Sequence, residues 1–258
     1  MSIEKLYKKY LRTRKRIDII PLTKQIMGEL GQSENFVIIV PFRDQLLQNR
    51  LGQLNKFVDH YINLFKEIKY NILIVEQSDD SRKFNRGMLL NIGFIMMHNK
   101  CSHFIFHDVD LLSDKNMVKY YLTNPKLPIH IASSWKEKYN YPSFIGGIIS
   151  FNKEKYIKIN GFPNNFWGWG GEDDALYNRL AINNIDIYKT FDGHIREIRH
   201  KDTKTIKKLI NMKRWENVLD DLKNWKNNGL TQLSKNNIKI INSVNINKNV
   251  NKITVELN

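Results

Sequence analysis

The 258-residue chain has one cysteine, Cys101, which excludes an internal disulfide and any cysteine-based metal framework. Proline is scarce at 6 residues, and no Pro/Gly/Ser-rich spacer or internal repeat divides the sequence. One elaborated domain is therefore expected, not several independent ones. No apolar run is long enough for a signal peptide or a membrane span, and Lys and Arg are scattered through the first twenty residues. Asparagine is abundant, yet no Asn-x-Ser/Thr acceptor occurs. These absences predict a cytoplasmic or otherwise soluble protein without a membrane anchor. Acidic residues are outnumbered, with 26 Asp and Glu against 41 Lys and Arg, for a formal charge of +15. A nucleic-acid binder would cluster such cations around aromatics, whereas these lysines are spread among Asn and Ile. Basic nucleic-acid binding is kept only as an alternative, and no dedicated nucleic-acid partner is expected.

Hydrophobic residues make up 41% of the chain, enough to bury one sizeable core. Asn35 to Val40 reads as a strand, and Leu47, Leu51, Leu54, Val58, Ile62 and Phe65 follow at helical spacing. Tyr70 to Val75 and His103 to Phe106 read as further strands, with a helix over Asn85 to Met97 between them. Gly146 to Phe151 predicts a strand, Lys153 to Ile159 a short helix, and Glu172 to Ala181 another helix. Alternating elements of this kind imply an α/β fold with a mostly parallel central sheet flanked by helices and ligands at the carboxyl ends of its strands. Residues 1–33 read as a basic, helical N-terminal extension and 34–258 as one domain. Its low-complexity tail, from Asn236 to Lys252, can still supply edge strands.

The densest chemistry lies in Phe166-Trp167-Gly168-Trp169-Gly170-Gly171-Glu172-Asp173-Asp174. Tryptophan offers an apolar face to a sugar ring, glycine permits close backbone approach, and a carboxylate can accept a proton from a hydroxyl. Upstream, the apolar run Phe104-Ile105-Phe106 leads into Asp108-Val109-Asp110. In extended chain these two acids share a face, which suits one cation carrying a diphosphate. A capping or Asx-turn role for either acid is the plainer alternative.

Taken in order, Val40-Pro41-Phe42-Arg43-Asp44, Phe84-Asn85-Arg86-Gly87, Asp108-Val109-Asp110, Gly146-Gly147, the run from Asn160 to Asp174, and Ile198-Arg199-His200 resemble the beta-1,4-galactosyltransferase family. The resemblance runs from about Asn35 to Leu233, and its tryptophan-glycine-acid block is highly specific. It implies the GT-A nucleotide-sugar transferase fold and metal-dependent, inverting transfer of a hexose, with galactose favoured. The donor would be a UDP-sugar and the acceptor a hydroxyl on a glycan or glycoconjugate, of N-acetylglucosamine type by preference. Use of UDP-GalNAc, or a non-catalytic carbohydrate-binding role, are the alternatives within the same resemblance.

The resemblance further implies a role for each matching position. Asp173 is the expected general base, held ionised at a helix N-terminus. Asp110, Glu197 and His200 are the expected metal ligands, with His194 as a spare. Trp169, Glu172, Asp174, Arg214, Trp215 and Val218 are expected at the acceptor, the last three as an acetamide patch on a mobile segment. Pro41, Phe42, Arg43, Phe84, Arg86, Asp108, Val109, Phe144, Gly147 and Trp169 are expected at the donor. Two departures matter. Glu197 stands where the family has a methionine, so the manganese expected as cofactor has magnesium as an alternative. Phe144 stands where a tyrosine is common, leaving galactose and N-acetylgalactosamine both open as donors.

Overall fold

The computed structural model describes residues 2–135, 141, 143–234 and 238–257. Met1, Asn258 and Asn236, which bound the stretches delimited above, lie outside them. In chain order the elements are α1 (Ile3–Thr13), β1 (Ile19–Pro21), α2 (Lys24–Leu30), β2 (Phe36–Phe42), α3 (Arg50–Leu64), β3 (Asn71–Gln77) and α4 (Arg86–Met97). They continue with β4 (His103–His107), β5 (Leu111–Ser113), α5 (Val118–Leu122), β6 (Ile129–His130), β7 (Ile148–Asn152), α6 (Lys153–Lys158) and α7 (Glu172–Ile182). The last are β8 (Ile187–Lys189), β9 (Ile195–Glu197), α8 (Arg214–Asn224), β10 (Lys239–Asn247) and β11 (Val250–Glu256).

Nine strands form one sheet in the order β1-β8-β6-β7-β4-β2-β3-β11-β10. β2 runs parallel to β3 and β4, β3 parallel to β11, and β8 parallel to β1 and β6, while β7 and β10 pair antiparallel with their neighbours. The interior strand β2 is buried along its whole length, as its unbroken apolar run requires of a strand covered on both faces. Val37 and Ile39 point into one core with Leu89, Leu90 and Phe94 of α4, and Phe36, Ile38 and Val40 point into the other with Leu54, Phe57 and Tyr61 of α3.

The tail from β10 to β11 does supply edge strands, with β11 extending the sheet beside β3. Residues 2–33 are less simply helical than the sequence suggests, because Ile19–Pro21 pairs with Ile187–Lys189 as the opposite edge. That strand has too few apolar residues to announce itself, and its partner arrives only when β8 is in place. Among the described residues, no helix is long and apolar enough to cross a membrane.

Two antiparallel pairings position the site. Because β7 runs against β4, Gly146 and Gly147 at its start return to the carboxyl end of β4, where the Asp108 N–H donates to the Gly147 carbonyl at 2.9 Å. The short β5–β9 ladder sets Leu111 opposite Glu197, and one step on, the Ile198 N–H donates to the Asp110 carbonyl at 2.7 Å.

Candidate active site

Asp108-Val109-Asp110 lies in a turn after β4, closed by the Leu111 N–H on the Asp108 carbonyl, and not in extended strand. This corrects the shared-face geometry expected above. The turn separates the two carboxylates: Asp108 goes to Arg86 and Asp110 to Arg50 and His200. The turn rests on a buried polar network. The Tyr61 and Tyr121 hydroxyls each sit 2.8 Å from His107 Nε2, and His107 Nδ1 is 2.8 Å from the Asp108 carbonyl oxygen.

Asp110, Glu197 and His200 offer ligand atoms that all lie within 4.8 Å of one another. His200 Nε2 is 3.0 Å from Asp110 Oδ2 and 3.7 Å from Glu197 Oε1, while Nδ1 faces the Lys201 carbonyl at 2.8 Å. A neutral imidazole with its proton on Nδ1 would turn a lone pair toward the two carboxylates. Two carboxylates and one imidazole fit a divalent ion of the manganese or magnesium type. Burial alone would raise the Asp110 carboxyl, but the His200 hydrogen bond and the Arg50 charge outweigh it and hold the group well below the usual carboxylate range. Reciprocally, the hydrogen bond to Asp110 raises His200. His194 is exposed and outside this cluster; its carbonyl accepts from the Asp114 N–H.

Arg86, the first residue of α4, forms the second centre. Nε donates to Asp108 Oδ1 at 2.7 Å and Nη1 to Asp173 Oδ1 at 3.1 Å, with Glu172 Oε1 at 3.9 Å. Among the described residues its buried Nη2 has no hydrogen-bond partner. Burial works against the Arg86 charge, but Asp108, Asp173 and Glu172 outweigh it and keep the guanidinium above its ordinary range.

Glu172, Asp173 and Asp174 open α7 behind Gly171, and no side chain caps that end. Burial and the neighbouring Asp173 charge push Glu172 up to about 8, and the same two causes push Asp174 up to about 6. Burial, joined by the Asp108 charge and opposed by Arg86, also raises Asp173. The direction runs against the expectation that the helix terminus holds Asp173 ionised. Three acids in one turn, Glu172 buried and the other two half-buried, with Arg86 the cation facing Glu172 and Asp173, weigh more than the end of a dipole.

Asp173 also explains Gly146. A β-carbon at that position would fall 2.2 Å from Asp173 Oδ2 and 2.8 Å from the Phe144 ring. With Oδ1 bound to Arg86, Oδ2 is the oxygen turned toward Gly146.

Trp169 is 43% exposed, and its loop is laced to the segment after β9. Its N–H donates to the Leu209 carbonyl at 2.7 Å, the Asn211 N–H donates to its carbonyl at 3.0 Å, and the Lys204 ammonium sits 5.5 Å from its ring. Gly168, at φ +91, allows that approach, since a β-carbon there would lie 2.7 Å from the Leu209 oxygen. Arg214 and Trp215 open α8 beneath Gly170 and Gly171.

The expected acetamide patch is covered in this structure. Tyr7 of α1 stacks on Trp215 at 4.5 Å, and Val218 is fully buried with Tyr7, Phe166 and Ala175. The Tyr7 hydroxyl is buried without a well-formed hydrogen bond beside Asp174. Nothing in the sequence spacing signals that the basic N-terminal stretch reaches this far.

The expected donor residues divide by burial. Phe42 and Val109 belong to the core, and Pro41 and Gly147 are buried beside them. Arg43 is tied to Asp79 at 3.0 Å and Asp80 at 3.5 Å, and the Phe84 carbonyl accepts from the Gly168 N–H. Phe144 lies edge-on to Tyr141 at 5.3 Å. Tyr141 is 49% exposed, and its partial burial with the charges of Asp174 and Asp173 pushes the phenol up to about 12. Arg50, paired with Asp110, and Tyr141, which feels the charges of Asp173 and Asp174, are neighbours of the candidate site that sequence reasoning missed.

A nine-stranded, mostly parallel sheet, with acids gathered after β4 and at the start of α7, defines a nucleotide-sugar transferase fold of the GT-A type. Residues 29–123 match the family described as the N-terminal region of glycosyl transferase group 7, and residues 127–201 match the N-terminal domain of galactosyltransferase. The chain belongs to the beta-1,4-galactosyltransferase family. Beta-1,4-galactosyltransferase 1 of Bos taurus is 33% identical over 207 residues, covering 76% of this chain and 49% of that protein. Beta-1,4-galactosyltransferase 3 of Homo sapiens is 30% identical over 206 residues, covering 76% and 50%. The chain thus spans about half the length of the curated relatives it matches. Drosophila beta-1,4-galactosyltransferase 7, solved as a mutant complex with manganese, UDP-Gal and xylobiose, superposes with a TM-score of 0.70 at 27% identity, covering 86% of this chain and 94% of that one.

Proposed function

We propose that this chain is a metal-dependent, inverting galactosyltransferase that moves galactose from UDP-galactose to a carbohydrate hydroxyl. The observation that carries the reading is the Asp108-Val109-Asp110 turn, which joins two centres: a three-ligand cation cluster through Asp110 and the general-base candidate Asp173 through Asp108 and Arg86. Relatives named as galactosyltransferases, and a structural neighbour solved with manganese and UDP-Gal, support it.

Asp110, Glu197 and His200 would hold the ion, which when bound neutralises charge developing on the leaving diphosphate. Asp173 Oδ2 takes the proton of the acceptor hydroxyl as that oxygen attacks the anomeric carbon, and the bond to the diphosphate breaks on the opposite face. Arg86 keeps Asp173 aligned through Oδ1. Its raised pKa makes Asp173 a better proton acceptor than an ordinary aspartate once it is ionised. Trp169 offers the exposed aromatic face for a sugar, and Tyr141 is the nearby hydroxyl that can meet the donor sugar. Arg43 and Phe84 sit toward the nucleotide end, and Arg214 and Trp215 toward the acceptor. The Trp169 loop and the segment from Ile198 to Val218, hydrogen-bonded to each other, are proposed to order together when metal and donor bind.

The test is release of UDP from UDP-galactose and UDP-GalNAc, with and without manganese or magnesium, over acceptors ending in N-acetylglucosamine, glucose or xylose. Release from UDP-galactose that needs both metal and acceptor is expected. No metal-dependent release with any of these acceptors rejects the reading.

A further inference from the structure

One oxygen at the cation cluster is claimed twice. Asp110 Oδ2 accepts from Arg50 Nη1 at 2.8 Å and lies 3.0 Å from His200 Nε2. Arg50 opens α3 and is steered by two side chains of its own neighbourhood, with Nη1 donating to Gln53 Oε1 at 2.8 Å and Nε to Gln48 Oε1 at 3.4 Å. The amide groups of those glutamines grip the chain that carries His200. Gln53 donates to the Ile198 carbonyl at 3.3 Å, and Gln48 donates to the Lys201 carbonyl and the Thr203 hydroxyl, both at 2.9 Å. Arg50 is therefore held against Asp110 by the same frame that brings His200 to it.

A cation bound to Asp110 Oδ2 would sit about 2.0–2.6 Å from that oxygen. A guanidinium nitrogen 2.8 Å from the same oxygen is then within a few ångströms of the ion, and both are positive. The two charges compete for one carboxylate. We propose that Arg50 is the resident counter-charge of the cation site, holding Asp110 when no ion is bound and setting cation affinity by having to yield Oδ2. The proposal rests on reading Asp110, Glu197 and His200 as metal ligands. Nothing in the Asp-x-Asp motif points to Arg50, which is 60 residues away in sequence and reaches the site only through α3.

Calorimetric titration of Mn2+ and Mg2+ into the full chain without nucleotide tests this, alongside thermal midpoints with and without each ion. Arg50→Gln is expected to bind Mn2+ about tenfold or more tightly than the parent, since a like charge within a few ångströms has gone. Without metal it should be less stable, because Asp110 keeps only His200, so the metal-induced rise in midpoint should be larger. Arg50→Lys, which keeps the charge, should stay close to the parent. Should Arg50→Gln fold poorly, Arg50→Met also removes the charge, leaves the Gln53 grip on Ile198 in place, and should shift affinity the same way. Unchanged or weaker Mn2+ binding in the Gln or Met variant, with the parent binding normally, overturns the proposal. Weaker binding of UDP in Arg50→Gln at unaltered Mn2+ affinity also overturns it, making Arg50 a diphosphate ligand instead. If the parent binds no Mn2+, or Asp110→Asn binds it equally well, the metal reading itself falls and takes the proposal with it.

Discussion

Arg179 on α7 is fully buried, and its guanidinium is matched atom for atom. Nε and Nη2 form a forked pair with Asp221 of α8 at 2.9 and 2.6 Å, while the remaining N–H groups reach the carbonyls of Asn160, Gly161 and Asn228. Arg86, at the start of α4, is nearly as deep, yet it faces Asp108 and Asp173 directly with Glu172 at 3.9 Å, and its Nη2 has no hydrogen-bond partner among the described residues. The same side chain thus does two kinds of work. A buried charge answered by one carboxylate and several carbonyls is a fastener, here between α7, α8 and the turns around them. A buried charge outnumbered by carboxylates leaves those acids with raised pKa values and ready to take protons, which is what a site for proton transfer needs.

The sharpest way to break the comparison is to remove the acid that Arg86 holds. Asp173→Asn should lower the transfer rate by about a hundred- to ten-thousand-fold while UDP binding and the thermal midpoint stay near the parent. Activity within threefold of the parent would end the assignment of Asp173 as base. On the other side, Arg179→Met should cost about 3–5 kcal/mol of stability, because Asp221 is left buried without a counter-charge, with only the Asn228 amide to meet it among the described residues. Urea unfolding measures it, and a loss below 1 kcal/mol would show that Arg179 is no fastener.

Gly146→Ala sharpens the contrast, since its β-carbon would meet Asp173 Oδ2 at 2.2 Å without requiring an unusual backbone angle. The carboxylate must shift, so the rate should fall by about tenfold to a hundredfold. Stability should change little, because the clash falls on the ends of side chains. Equal losses of rate and stability would place the strain in the backbone instead.

The smallest effect concerns pH. Glu172 is raised to about 8 in the folded chain from an ordinary 4.5, so the folded state holds a proton that the unfolded state releases. Its contribution to stability is fully present below about pH 4.5 and is lost as pH rises through about 8. Glu172→Gln removes that titration, so its thermal midpoint should gain on the parent steadily from pH 5 to pH 8 and level off above. A constant difference across that range would mean that Glu172 is not the group responsible.

Much of this was legible in the residues. The strands from Phe36, Asn71 and His103, and the helices after them, announced themselves because apolar period and strand propensity act locally. The tryptophan-glycine-acid run and Asp108-Val109-Asp110 stood out because their chemistry is concentrated in a few consecutive positions. Three features were not legible. The strand Ile19–Pro21 forms only beside β8, Tyr7 meets Trp215 only when α1 folds back across α8, and Tyr141 nears Asp173 only through the turn before β7.

What the sequence determined alone is therefore the kind of protein this is: an α/β chain with a tryptophan-glycine-acid block, an Asp-x-Asp motif after a strand, and the pattern of a glycosyltransferase family. The tertiary structure decided how the charges are shared. Sequence order lists carboxylates without saying which cation each will face, because that depends on distances between segments far apart in the chain. Only the folded packing gives Asp108 and Asp173 to Arg86, sets Arg50 against Asp110, and buries Glu172 deeply enough to change its proton affinity.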